Sequence, residues 1–219
     1  SEMCIRDRED ALRTRYPSDL SVELRFVKDE GGMDEANIAI ARGMIEDVIK
    51  QDGLDVQGQF DIRSAWFSGL LTGNTFTRAQ ESTLMDYERA VDLTILPLED
   101  YTRMTGEDLT LEPGEAYLCS PRMAYTQPDL RIGELTYQIK GQLPEFGGFG
   151  ADSANITTMI YLIVPDFDAA VNALRTQNTR YPVVVSWQYS FDSGSPDEAQ
   201  IAFLRDMMGT FADNREGLV

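Results

Sequence analysis

The chain has 219 residues, 42% of them apolar and 10% aromatic, and carries a formal charge of −18 at neutral pH with no histidine. That length and apolar content can build a real core, as one large domain or two small ones, and do not describe a disordered segment. The charge opposes nucleic acid and anionic lipid as partners, and the missing histidine removes Ser-His-Asp and Cys-His nucleophiles, the usual zinc sites and the usual neutral-pH base.

The opening "SEMCIRDR" fits neither helix nor strand periodicity and looks like a translated sequencing-adapter remnant. Residues 1–7, with Cys4, are set aside as non-native or disordered. "DREDALRTRYP" reads as a short charged helix ended by Pro17. In "DLSVELRFV" the apolar Leu20, Val22, Leu24 and Phe26 alternate with Ser21, Glu23 and Arg25, which predicts a half-buried strand. After the "KDEGG" loop, Asp34 stands at the N-cap of a helix over 35–51. Ile38, Ala41, Ile45, Val48 and Ile49 form its apolar stripe, and Gly53 follows as a left-handed C-cap. A strand from Phe60 to Leu71 then completes a βαβ-like or split βαβ unit.

Residues 73–88 are polar and irregular. "RAVDLTILP" predicts a strand with Val91, Leu93 and Ile95 on one face, stopping at Pro97 before a short helix "LEDYTRMTG" closed by Gly106. A Pro-Gly turn precedes the strand "EAYLCS", and "DLRIGELTYQIKGQLP" reads as two strands broken at Gly133. The glycine-rich "EFGGFGADSAN" is a flexible loop. A strand over 156–164 leads into a helix over 167–177 capped by Asp166, with Phe167, Val171 and Leu174 inward. "YPVVVSWQYSFD" is the next strand. The last helix runs to about 212. Its signature is "SPDE", with Ser195 as N-cap, Pro196 in the first position and Glu198 as capping-box partner.

Sites of chemistry are hard to find in this pattern. The corner "VPDFD" lacks the glycines a dinucleotide corner needs, and Asp166 and Asp168 would repel phosphate, so it reads as architecture. The Gly147–Gly150 cluster has neither G-x-G-x-x-G spacing nor a Walker lysine. It is taken as a hinge or mobile loop, with Phe146 and Phe149 as candidate exposed contacts. "KDEGGMDE" and "FDSGSPDE" lack calcium-loop spacing. Glu99 and Asp100 follow a strand end, like a glycosidase pair, but 37 acids produce many such neighbours by chance. Cys119 sits in a strand as a small hydrophobe, with no basic neighbour to activate it. Trp66, Phe67, Trp187 and Tyr189 are core residues or, in the minority case, line a groove. No residue is assigned to catalysis, to a cofactor or to a metal.

Three stretches together resemble a known family. "VDLTILPLEDYTRMTGEDLTLEPGEAYL", "LRIGELTYQIKGQL" and "ITTMIYLIVPDFDAAVNAL" occur in the order found in the extracytoplasmic domain of an FtsX-like, MacB-related ABC-transporter permease. "RYPSDLSVELRF" resembles the strand after the first membrane helix of such proteins, and the likeness runs from residue 9 onward. The resemblance implies an α+β fold of two strand–helix–strand units forming one mixed α/β, porter-like subdomain (8–72 and 151–219), with a smaller β-rich, sabre-like subdomain inserted (73–150). It also implies a non-catalytic domain on the extracellular face of the plasma membrane. Its chain would start in a short helix and end in a long one, as though both continue into membrane spans. Its partners would be the transmembrane helices of the same permease and an ABC ATPase subunit or domain, with a cationic peptide or an extracytoplasmic protein as ligand and room for a dimer in the intact transporter. Alternatives are a free-standing secreted or lipid-anchored ligand-binding domain, a carboxylate-dependent hydrolase and a plain intracellular α+β domain.

Overall fold

In a computed structural model the described residues are 17, 19–26, 35–68, 77–78, 92–119, 123–132, 135–143, 159–175 and 183–215. The adapter-like opening, the charged segment before Pro17, Asp34, most of 73–88, Val91, Gly133, the Gly147–Gly150 loop and residues 156–158 lie outside them. In chain order the elements are β1 (Leu20–Phe26), α1 (Glu35–Gln51), β2 (Val56–Ser68), β3 (Thr77–Arg78), β4 (Asp92–Pro97), α2 (Leu98–Thr105), β5 (Glu115–Cys119), β6 (Met123–Ala124), β7 (Asp129–Ile132), β8 (Leu135–Gln142), β9 (Met159–Val164), α3 (Phe167–Arg175), β10 (Val183–Phe191) and α4 (Glu198–Asp213). Eight strands make a mixed sheet in the order β1-β10-β2-β4-β9-β5-β8-β7, so the class is α+β as expected. Contacts divide the chain into two compact units, Ser1–Ile62 with Pro182–Val219, and Arg63–Tyr181.

In the first unit β1 pairs antiparallel with β10, Leu20 opposite Tyr189 and Phe26 opposite Val183. β1 alternates buried and exposed along its whole length, as its sequence requires. β10 lies between β1 and β2, which makes this a split βαβ arrangement. α1 covers the predicted span and buries the predicted stripe Ile38, Ala41, Ile45, Val48 and Ile49. Gly53 follows with φ +64°, a conformation that glycine adopts without a Cβ penalty. β10 carries the largest core side chains. Trp187 and Tyr189 are each 1% exposed, and Phe191 is fully buried. Tyr189 and Phe191 stack at 6.1 Å. Burial of an aromatic of this size is worth roughly 3–5 kcal/mol against alanine.

Two boundaries in this unit differ from expectation. β2 begins at Val56 and not at Phe60. The polar "VQGQ" joins the strand because the sheet supplies a ladder: Asp192 N–H donates to the Asp55 carbonyl at 3.0 Å, and tertiary pairing overrides weak strand propensity. The cap of α4 is Asp197 and not Ser195. Asp197 Oδ1 accepts from Gln200 N–H at 2.8 Å, while Gln200 Oε1 accepts from Asp197 N–H at 2.9 Å. The sequence thus carries two overlapping box patterns, S-x-x-E and D-x-x-Q. Pro196, buried, stands before the cap and not inside the helix.

In the second unit the strand order is β4-β9-β5-β8-β7, joined at one side by the end of β2. β4 and β9 are parallel, β5 is antiparallel to β9 and parallel to β8, and β7 and β8, the two strands expected on either side of Gly133, pair antiparallel. Leu93 and Ile95 are buried, but so are Thr94 and Leu96. β4 is therefore covered on both faces, as is the apolar run Ile160–Val164 of β9, the usual state of strands in a parallel pair. α2 ends at Gly106, whose φ of +73° closes the helix with its N–H bonded to the Thr102 carbonyl. In α3, Phe167 and Val171 are buried as expected, whereas the side chain of Leu174 lies outside the described residues.

Candidate functional site

The two strand-to-helix corners singled out in the sequence belong to one place. β4 and β9 run parallel and in register, with Pro97 opposite Val164. Each hands over to a helix at that edge, so Leu98–Glu99–Asp100 and Asp166–Phe167–Asp168 stand side by side. The carboxyl ends of neighbouring parallel strands are where open α/β sheets commonly hold ligands. A cavity of 550 Å³ opens between the two corners, within the range of about 300–1,000 Å³ common for small-molecule sites. Leu98, Leu109, Leu111 and Phe167 give it an apolar wall; Glu99, Asp166 and Asp168 add carboxylates, and Arg63 a cation.

Asp100 sits behind this cavity and is 5% exposed. Its Oδ2 accepts from the Arg63 backbone N–H at 2.9 Å, and its Oδ1 accepts from Arg103 Nη2 at 2.7 Å. Burial pushes its carboxyl above the ordinary 3.8, against the lowering effect of the Arg63 N–H and the Arg103 charge. With both oxygens committed, Asp100 is a clamp that fixes α2 to the backbone of β2. Asp166 is also committed: its Oδ1 accepts from Ala169 N–H at 2.9 Å and caps α3. The corner is thus built as architecture, in line with the sequence reading. Asp166 further helps burial to raise the Tyr137 hydroxyl above its usual range. An apolar wall with a carboxylate rim suits a cationic, partly apolar side chain better than an anion.

The other candidates are scattered. Cys119 forms no disulfide among the described residues and is 1% exposed, so it behaves as core. Trp187 and Tyr189 are core too, while the side chains of Trp66 and Phe67 lie outside the described residues. Of the acidic turn "FDSGSPDE", Asp197 is spent on the α4 cap. In the second unit the Tyr125 hydroxyl donates to the Asp129 carbonyl and is pushed up to about 12, first by burial and then by the Asp129 charge. Among the described residues no cluster of three or more His, Cys, Asp or Glu is placed to hold a metal ion, and no helix is long and apolar enough to cross a membrane.

Sequence reasoning missed that the two corners meet, and it missed Arg63, Leu109 and Leu111. The available signal was grammatical: "ILPLED" and "IVPDFD" are both an apolar strand, a proline and an acidic helix start. No protein-family model matches the chain, and a comparison with curated proteins finds no match.

Proposed function

We propose that this chain is the extracytoplasmic domain of an ABC-transporter permease of the FtsX-like, MacB-related kind. In this reading it performs no chemistry. ATP is hydrolysed by a cytoplasmic partner, and the resulting motion of membrane helices reaches this domain and changes how it meets its ligand or partner protein. One observation supports the reading above the others: the first unit is discontinuous, formed by Ser1–Ile62 and Pro182–Val219 around the intervening Arg63–Tyr181. A unit of that kind gathers the segments that flank it into one body, as a domain inserted between two membrane spans requires.

The reading makes a geometric demand. Arg215 Nε donates to Asn37 Oδ1 at 2.9 Å, so the end of α4 lies beside the start of α1. β1 runs toward that same end, which leaves Leu20 about 20 Å away at some 3.3 Å of rise per strand residue. A single bilayer can hold both flanking segments only if the chain before Leu20 travels back along the unit. The test of the class is the complete open reading frame. The reading expects this segment in frame with four or more apolar spans of roughly 20 residues; a frame without such spans overturns it.

A further inference from the structure

Within the first unit, α1 and α4 enclose a groove of 510 Å³. Among the described residues only three large hydrophobic side chains are exposed, and two of them, Ile40 at 47% and Phe203 at 57%, line this one groove. Met44 and Met207 line it as well. Exposed apolar side chains gathered in one place mark interaction surfaces more often than scattered ones do, and methionines adapt to the shape of a partner. Phe203, Met207, Thr210 and Asn214 repeat at helical spacing along the α4 wall. That wall is about 16 Å long at 1.5 Å per residue, the length of three helical turns.

We propose that the groove between α1 and α4 is a docking site for an amphipathic helix with one apolar and one basic face, supplied by a partner protein or peptide. Charge selects this occupant. The described residues of the first unit hold thirteen carboxylates against five cations, an excess of eight negative charges. Asp206 lines the groove itself. Of its cations, Arg215 is engaged locally, 3.8 Å from the centre of the Phe211 ring and donating to Asn37 and to the Phe211 carbonyl. A second copy of a chain at −18 would meet repulsion here. A helix of opposite charge gains both steering and apolar burial, the helix-in-groove mode. The inference does not depend on the permease reading.

The test uses the whole chain and a synthetic Leu/Lys amphipathic peptide of about 18 residues, followed by calorimetry at two salt concentrations. Controls are a Leu/Glu counterpart and a Phe203→Ser, Ile40→Ser double variant, which removes exposed apolar groups and keeps every charge. The proposal expects saturable one-to-one binding of the Leu/Lys peptide, weakened by salt and weakened at least tenfold in the double variant, with no binding of the Leu/Glu peptide. It is overturned if the Leu/Lys peptide fails to bind, if the folded double variant binds it equally well, or if the Leu/Glu peptide binds as tightly. It is also overturned if sedimentation shows a dimer of the chain that the double variant abolishes, since the occupant would then be a second copy.

Discussion

Replacing Asp100 by alanine tests whether the clamp behind the corner cavity stabilises the second unit. Two charge-assisted bonds are lost, to Arg63 N–H at 2.9 Å and to Arg103 at 2.7 Å. Bonds to a charged group contribute about 1.5–3 kcal/mol each when sheltered. The Arg103 side chain is 55% exposed, which brings its share down to a few tenths. The Arg63 N–H bond carries most of the effect, and relief of the buried charge offsets part of it. The net expectation is a loss of about 2 kcal/mol, or roughly 8 °C in Tm for a unit of this size. Acidity gives a second reading with a fixed sign. The folded carboxyl is raised above 3.8, so the folded state binds the proton more tightly than the unfolded one. Its contribution is therefore fully present below pH 3.8 and declines as pH rises through the folded pKa. The gap in stability between wild type and Asp100→Ala should widen as pH falls from 7 into that window. Circular-dichroism melts of both proteins at several pH values measure it. A Tm unchanged at neutral pH, or a gap that narrows on acidification, would refute the reasoning.

Asp197→Ala removes the side-chain arm of the α4 capping box, the bond from Gln200 N–H to Asp197 Oδ1, and should cost about 1 kcal/mol in urea denaturation, whereas Ser195→Ala should change nothing measurable. The Tyr189 hydroxyl is buried without a hydrogen-bond partner among the described residues. Tyr189→Phe should therefore leave stability unchanged or raise it by up to about 1 kcal/mol in the same assay. Spin labels at Arg8→Cys and Asp213→Cys should lie close together if the segment before Leu20 returns along the first unit. A separation longer than the unit itself would contradict two spans in one membrane.

Legibility in the sequence followed the strength of local signals. α1 was readable to the residue because a five-member apolar stripe, an acidic start and Gly53 all agree. β9 and α3 were readable because an unbroken apolar run meets Pro165 and a capping aspartate. The start of β2 was not, since Gln57, Gly58 and Gln59 have weak strand preference and owe their extended state to the neighbouring strand. The α4 cap was displaced by two residues because two box patterns overlap and only three-dimensional hydrogen bonding chooses between them. The meeting of the Glu99 and Asp166 corners was not legible beyond the likeness of "ILPLED" to "IVPDFD". It depends on β4 and β9, more than 60 residues apart in the chain, pairing in parallel register, and no local pattern encodes long-range pairing.

The central claim is that this domain stands outside the cell membrane while anchored in it. The most direct measurement labels a Glu198→Cys variant of the full-length gene product with a membrane-impermeant maleimide, in intact spheroplasts and after lysis. Glu198 is exposed and Cys119 is buried, and a Cys4→Ser background with the protein lacking the Glu198→Cys change as blank assigns the signal to the engineered thiol. The account predicts full labelling before lysis, on a protein that sediments with the membrane fraction. Labelling that appears only after lysis, or a product that stays in the soluble fraction, would contradict it.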